Sequence, residues 1–187
     1  MQIERGSNME MGAGARGGSS IRANRTLSTH YKMEAFASDG TPKWVEEFDN
    51  LVVNDGLDDS LDKHLKGAAY TAAWYVGLTD GTPTPAAADD QAAHAGWVEV
   101  VAYDEAVRQT LTLGAVAGQS VDNVGNEATF TISANNTVVG GAFISTTDTR
   151  GGTVDTLYGV GAFTAADKTL DDDDTIAITV TCTAAAA

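Results

Sequence analysis

Short alternating segments between residues 72 and 183 constrain the fold of this chain more than any other feature. Val, Thr, Ile and aromatic residues dominate them, and Gly, Asp or Asn residues separate one segment from the next. An alternation of period two suits a strand with one buried face, and β-branched residues favour a pleated surface. Patterns for crossover helices do not lie between the segments, which disfavours a parallel α/β architecture. The pattern predicts strands over 72–79, 97–103, 109–116, 127–134, 137–146, 156–163 and 175–183.

A β-hairpin is predicted before these strands. Residues 30–37 alternate, residues 43–53 form a second apolar segment, and Asp39-Gly40 between them is a turn signal. The residues expected on one face of the first strand are Tyr31, Met33, Ala35 and Ala37. Asn135-Asn136 predicts a second tight hairpin turn, and residues 165–174 are interpreted as a polar connection.

One amphipathic helix is predicted over about residues 55–66. Leucines recur at every fourth position and form one apolar stripe: Leu57, Leu61 and Leu65. Asn54 or Asp55 is expected to cap the helix, and Gly67 to end it. If the stripe packs in the core, Leu61→Ala should cost about 2–5 kcal/mol, whereas a loss under about 0.5 kcal/mol would mean that this face is exposed or used for a partner.

Charge divides the chain into an arm and a body. Residues 1–43 hold six Lys or Arg against four Asp or Glu, a net +2, and residues 44–187 hold five against twenty-two, a net −17. Residues 1–29 are rich in Gly, Ser, Asn and Arg and lack the apolar residues for a core, which predicts a flexible N-terminal arm before a domain over 30–187. The arm residues expected to bind a partner are Arg5, Arg16, Arg22 and Arg25. The acidic body disfavours direct contact with nucleic acid because phosphates would be repelled.

Residues able to carry chemistry are scattered. His30, His64 and His94 fall in different predicted elements and lack the spacing of a zinc site. Asp89-Asp90 are sequence neighbours and cannot face each other across a glycosidase cleft. The run 171–174 could bind Ca²⁺ through its carboxylates, but a solvated turn is the favoured interpretation. We therefore predict no catalytic, cofactor-binding or metal-binding residue.

Cys182 and the aromatic residues are interpreted as packing residues. Cys182 lies in an alternating apolar segment, as a small core residue would, and a reactive thiol is the alternative. The aromatic side chains stand in strand-like alternation, which favours a core or an interface over a ligand platform.

Residues 43–83 resemble a recurring structural protein of the tailed-bacteriophage virion. The resemblance extends over about residues 30–183, and residues 1–29 lie outside it. Its later blocks are HAGWVEV (94–100), RQTLTLGAV (108–116), GGAFIST (140–146) and TLYGVGAF (156–163). The resemblance implies a capsid decoration or cement protein on the outer surface of the phage head. Its partners would be the major capsid protein and other copies of itself, with no nucleic acid and no membrane.

The sequence thus predicts a mainly β chain without enzymatic activity. The expected architecture is a β-sandwich, jelly-roll-like, with one short helix and an extended N-terminal arm. The capsid contact is expected to combine the arm with a weakly charged strand face that carries aromatic residues, while the acidic body faces solvent. A tail or fibre component in host attachment is the alternative function, and a virion glycan hydrolase is a third.

Overall fold

The computed structural model describes residues 25–70 and 73–186. The greater part of the predicted arm, with Arg5, Arg16 and Arg22, lies outside the described residues. Arg25 is the first residue of the first strand. Residues 25–29, assigned above to the arm, therefore belong to the sheet, and the folded domain begins before residue 30.

The described residues are mainly β with one short α-helix, as predicted. The helix α1 spans Asn54–Leu61 and continues into a π-helical turn, Asp62–Lys66. The strands are β1 Arg25–Phe36, β2 Pro42–Val52, β3 Tyr75–Thr79, β4 Glu99–Val100, β5 Gln109–Thr110, β6 Ser120–Asp122, β7 Ala128–Thr131, β8 Thr137–Val139, β9 Gly141–Ser145, β10 Leu157–Ala162, β11 Lys168–Leu170 and β12 Thr175–Ala186.

The predicted hairpin of β1 and β2 is confirmed. The two strands pair antiparallel from His30 opposite Asp49 onwards. At the turn, Gly40 has a φ of 82°, which a glycine adopts without steric cost. The Asp39 carboxylate accepts a hydrogen bond from the Thr41 amide at 2.8 Å and fixes the turn.

Ten strands form one curled antiparallel sheet, a half-barrel within the described part of the chain. Its order is β4-β3-β9-β10-β2-β1-β12-β6, with β5 also pairing β3 and β7 also pairing β12, and β8 and β11 form a separate pair. Curling brings the segment after β4 against the end of β7, where Tyr103 and Ile132 form an antiparallel bridge. This architecture is compatible with the predicted sandwich or jelly roll.

The concave side of the sheet holds the core. In β1 the predicted inward residues Tyr31, Met33 and Ala35 are buried. Their neighbours on β12 alternate in the same way, since the buried residues are Ile176, Ile178 and Val180. The period-two pattern of the sequence therefore identifies the core face of both central strands.

Several strand predictions are wrong in extent. The segments 97–103 and 109–116 contribute only the two-residue strands β4 and β5. Asn136 does adopt a turn conformation with φ 60°, but β7 pairs with β12 and β8 with β11, so no hairpin joins β7 to β8. The segment 165–174, interpreted above as a polar connection, contains β11, which pairs with β8 and whose Leu170 is fully buried. No helix of the described residues is long and apolar enough to cross a membrane.

Candidate docking surface

Helix α1 is fastened to the sheet through its backbone and its smallest residue. The amide of Val53 donates to the carbonyl of Tyr158 at 3.2 Å, and the Asp55 carboxylate accepts from the amide of Leu157 at 2.9 Å. Gly56 is the buried residue of the helix, and a Cβ there would lie 2.2 Å from the carbonyl oxygen of Tyr158. Glycine is therefore required for this close approach.

The leucine stripe points away from the sheet, opposite to the prediction. Leu57 is 42% exposed, Leu61 56% and Leu65 79%. The three leucines, four residues apart, share one side of the helix, and this side is exposed while Gly56 meets β10. The expectation that the stripe packs in the core is wrong. We call the surface of Leu57, Leu61 and Leu65 the leucine face.

Charged side chains border the leucine face. Asp58 is exposed beside it. Two lysines of the π-helical turn pair with aspartates four residues earlier, Lys63 with Asp59 at 3.7 Å and Lys66 with Asp62 at 2.9 Å. The turn ends at Gly67, whose φ of 79° confirms the predicted stop. The predicted caps do not act, because Val53 occupies the N-cap position and no side chain bonds to it.

The three histidines lie apart from one another. His30 contacts the Asp49 carboxylate at 2.9 Å, His94 stacks on Trp97 with ring centroids 3.7 Å apart, and His64 follows α1. Over residues 25–70 and 73–186, no group of three or more His, Cys, Asp or Glu side chains is placed to hold a metal ion.

The acidic turn before β12 carries its own cation. Lys43 Nζ lies 2.5 Å from a carboxylate oxygen of Asp174 and 4.0 Å from one of Asp171. Burial raises the pKa of Asp174, but the hydrogen bonds from the Asp171 amide and from Lys43 outweigh it, and the pKa lies below its ordinary value. An ionised Asp174 thus pairs with a lysine at the place where the alternative interpretation of this turn puts a calcium ion.

The carboxylates of Asp89 and Asp90, which are neighbours in sequence, accept hydrogen bonds from the loop that contains them. Asp89 is buried and accepts from the indole of Trp97 at 3.1 Å and from the amide of Ala86 at 3.0 Å. Asp90 accepts from the amides of Ala92 and Ala93. Both carboxylates therefore accept hydrogen bonds that hold the conformation of this loop.

No family model, curated protein or solved structure matches this chain.

Most aromatic side chains are packed against other rings. Trp44 packs edge-on against Phe163, Trp74 against Tyr158, and Tyr103 against Phe130. Cys182 is half-buried, and its sulfur lies 3.8 Å from the hydroxyl of Thr29. Burial raises the pKa of the Cys182 thiol.

An arginine that sequence reasoning missed is the most deeply buried charge. Arg108 is fully buried, and its guanidinium donates to both carboxylate oxygens of Glu99 at 2.8 and 2.7 Å. It also donates to the Ser145 hydroxyl and to the carbonyls of Thr147 and Gly152. The available signal was a lone arginine directly before an alternating strand, together with a glutamate inside an apolar block.

Proposed function

We propose that this chain is a structural protein of a tailed-bacteriophage particle that binds the outside of the assembled capsid and stabilises it. It acts without enzymatic activity, as a decoration or cement protein. The observation that carries the proposal is the leucine face, three leucines four residues apart whose exposure runs from 42% to 79%. Such a face in a highly acidic chain supports a role in protein contact, because burial of each leucine contributes about 1.5–3 kcal/mol.

The leucine face fits the recognition mode in which an amphipathic helix enters an apolar groove. Anchors at i, i+3, i+4 and i+7 are typical of that mode, and the leucines of this helix share its spacing of four residues. Exposed Asp58 beside the leucines favours a groove whose rim carries Lys or Arg. The partner of this chemistry is, under the proposal, the major capsid protein.

Stabilisation follows from mass action. A protein that binds the assembled shell more tightly than the free subunits shifts the equilibrium towards the shell. The helix is held by its backbone and by Gly56, so docking of the leucines leaves the fold of the domain unchanged. Arg5, Arg16 and Arg22 of the predicted arm, together with Arg25 at the start of β1, are proposed to add contacts to the acidic side chains of the same shell.

The test is heat-induced release of DNA from particles that lack this protein. Deletion should lower the temperature at which DNA escapes, and adding back the intact chain should restore it. The Leu61→Glu variant should fail to restore it, because a carboxylate would be buried in the apolar contact. Val154→Glu is the matched control, since Val154 is 63% exposed and lies outside the helix, and this variant should restore the temperature fully.

Two results would contradict the proposal. If Leu61→Glu restores the release temperature as well as the intact chain does, the leucine face is not the contact. If particles without the protein are equally heat-stable and fail to attach to the host, the alternative of a tail or fibre component is favoured.

A further inference from the structure

A cavity of about 610 Å³ lies between the helical segment and the sheet. Its walls come from α1 with its π-helical turn, from β1, β6, β9, β10 and β12, and from the loop before β6. The apolar and aromatic lining residues include Leu27, Trp74, Leu111, Val121, Ile144 and Tyr158. Pockets for small organic molecules typically measure about 300–1,000 Å³, so the size is suitable for one.

The orientation of α1 explains why the cavity is open. The helical residues that line it are polar: Asp59, Ser60, Lys63 and His64. The leucines of the same segment point to the opposite side. No large apolar side chain of α1 therefore enters the space, and the apolar walls on the sheet side lack a protein partner from this helix.

Several polar groups of the walls are bonded to other groups of the chain. Asp59 and Lys63 pair with each other, and the Ser60 hydroxyl donates to the Gly56 carbonyl at 2.9 Å. The Ser120 hydroxyl lies 3.5 Å from that of Thr183. The opposite charges of Asp59 and Lys63 offset each other, which disfavours an ionic occupant because its charge would lose water without gaining an unpaired countercharge.

We propose that this cavity binds an uncharged, mainly apolar small molecule of aromatic or branched aliphatic character. The volume fits a molecule of drug-like size, the walls are aromatic and aliphatic, and the rim residues Tyr70 and Val116 are each 76% exposed, so the mouth is accessible. The site lies on the inner side of α1, opposite the leucine face. The inference goes beyond the proposed function and does not depend on it.

The test uses N-phenyl-1-naphthylamine, an uncharged probe that fluoresces in apolar surroundings. Titration of the intact chain should give a saturable signal with one probe per chain. Val121→Trp, which fills the cavity, should weaken binding at least about tenfold. Val124→Trp is the matched control, since Val124 is 66% exposed and does not line the cavity, and it should bind like the intact chain. Thermal unfolding of both variants verifies that they fold.

Cys182 supplies a second, independent measurement. It is the single cysteine of the chain and it lines the cavity. N-ethylmaleimide should alkylate it slowly, because burial raises the pKa of the thiol, and saturating probe should slow the reaction further. Mass spectrometry of the labelled fraction over time measures both rates.

Three outcomes would overturn the inference. The first is the absence of a saturable signal, which would mean that the cavity is already filled or closed in solution. The second is unchanged binding in Val121→Trp or unchanged labelling of Cys182 with probe present. The third is a signal that appears only at concentrations where the chain self-associates, which would place the probe at an interface between copies.

Discussion

At the scale of single residues, Arg108 connects parts of the fold that are distant in sequence. Its guanidinium joins β4 through Glu99, β9 through Ser145 and the loop after β9 through two carbonyls. The ring of Phe143 lies 4.9 Å from the guanidinium and covers its face. Arg108, Ser145 and Thr147 are buried, so they depend on one another and on Glu99 for their hydrogen bonds.

Arg108→Met should lower the free energy of unfolding by about 3–5 kcal/mol, because it leaves the Glu99 carboxylate buried without a countercharge. Chemical denaturation of the variant measures this loss. The double variant Arg108→Met/Glu99→Gln should recover part of it, which a thermodynamic cycle will reveal. Lys66→Met is the control, because Lys66 is exposed, and a change within about 0.5 kcal/mol is expected. A loss below about 1 kcal/mol in Arg108→Met would mean that water reaches Glu99.

At the scale of elements, α1 is a helix whose position is decided by a glycine. Its inner face meets the backbone of β10 at Gly56, and its leucines remain outside. The apolar face of a surface helix ordinarily packs against the core, but in this segment the apolar face is exposed. This orientation creates both the leucine face and the space beneath the helix.

The effects of Gly56→Ala and Leu61→Ala on stability should differ from those that the sequence alone predicts. Alanine favours a helix by about 1 kcal/mol over glycine. At Gly56, however, its Cβ would collide with the Tyr158 carbonyl, and a net loss of about 1–3 kcal/mol is expected. Leu61→Ala should change stability by less than about 0.5 kcal/mol. Urea denaturation of both variants measures these changes in the free energy of unfolding. A loss above about 2 kcal/mol for Leu61→Ala would show that the leucine stripe is buried after all.

The sequence predicts the helix and the central strands but not the direction of the leucine face. Spacing of four identifies a face of α1, and alternation identifies the buried side of β1 and β12. Neither pattern tells whether an apolar helix face meets the core or solvent, because that depends on Gly56 touching a backbone 102 residues away in sequence. The strand β11 was missed for a related reason, since Lys168 and Thr169 are polar and only pairing with β8 makes the segment extended. Arg108 was missed because burial of a charge depends on partners from three segments.

At the scale of the whole molecule, the dominant property is negative charge. Residues 44–187 carry a net −17, and the exposed ion pairs, such as that of Lys66 with Asp62, offset it only locally. Charges of one sign repel each other more strongly in the compact state than in the unfolded chain. Salt screens this repulsion over the distances that separate surface charges.

Raising the ionic strength should therefore raise the midpoint of thermal unfolding. The Debye length falls from about 30 Å at about 0.01 M to about 10 Å at about 0.1 M, so most of the gain is expected in this range. Sodium chloride and potassium chloride should act equally, since screening depends on ionic strength alone. Circular dichroism during heating measures the midpoint. A midpoint that falls with salt would show that ion pairs outweigh the repulsion.

The pairing of β1 with β12 has a consequence for synthesis of the chain on the ribosome. The two strands are neighbours inside the sheet, yet Thr29 and Cys182, opposite one another, are 153 residues apart in sequence. The hairpin of β1 and β2 can form soon after it is translated, but one edge of β1 has no partner until β12 is translated as well. An unpaired edge invites pairing with another nascent chain. Closure over so long a loop is also slow, so completion of the sheet depends on the arrival of β12, which pairs with β1, β6 and β7.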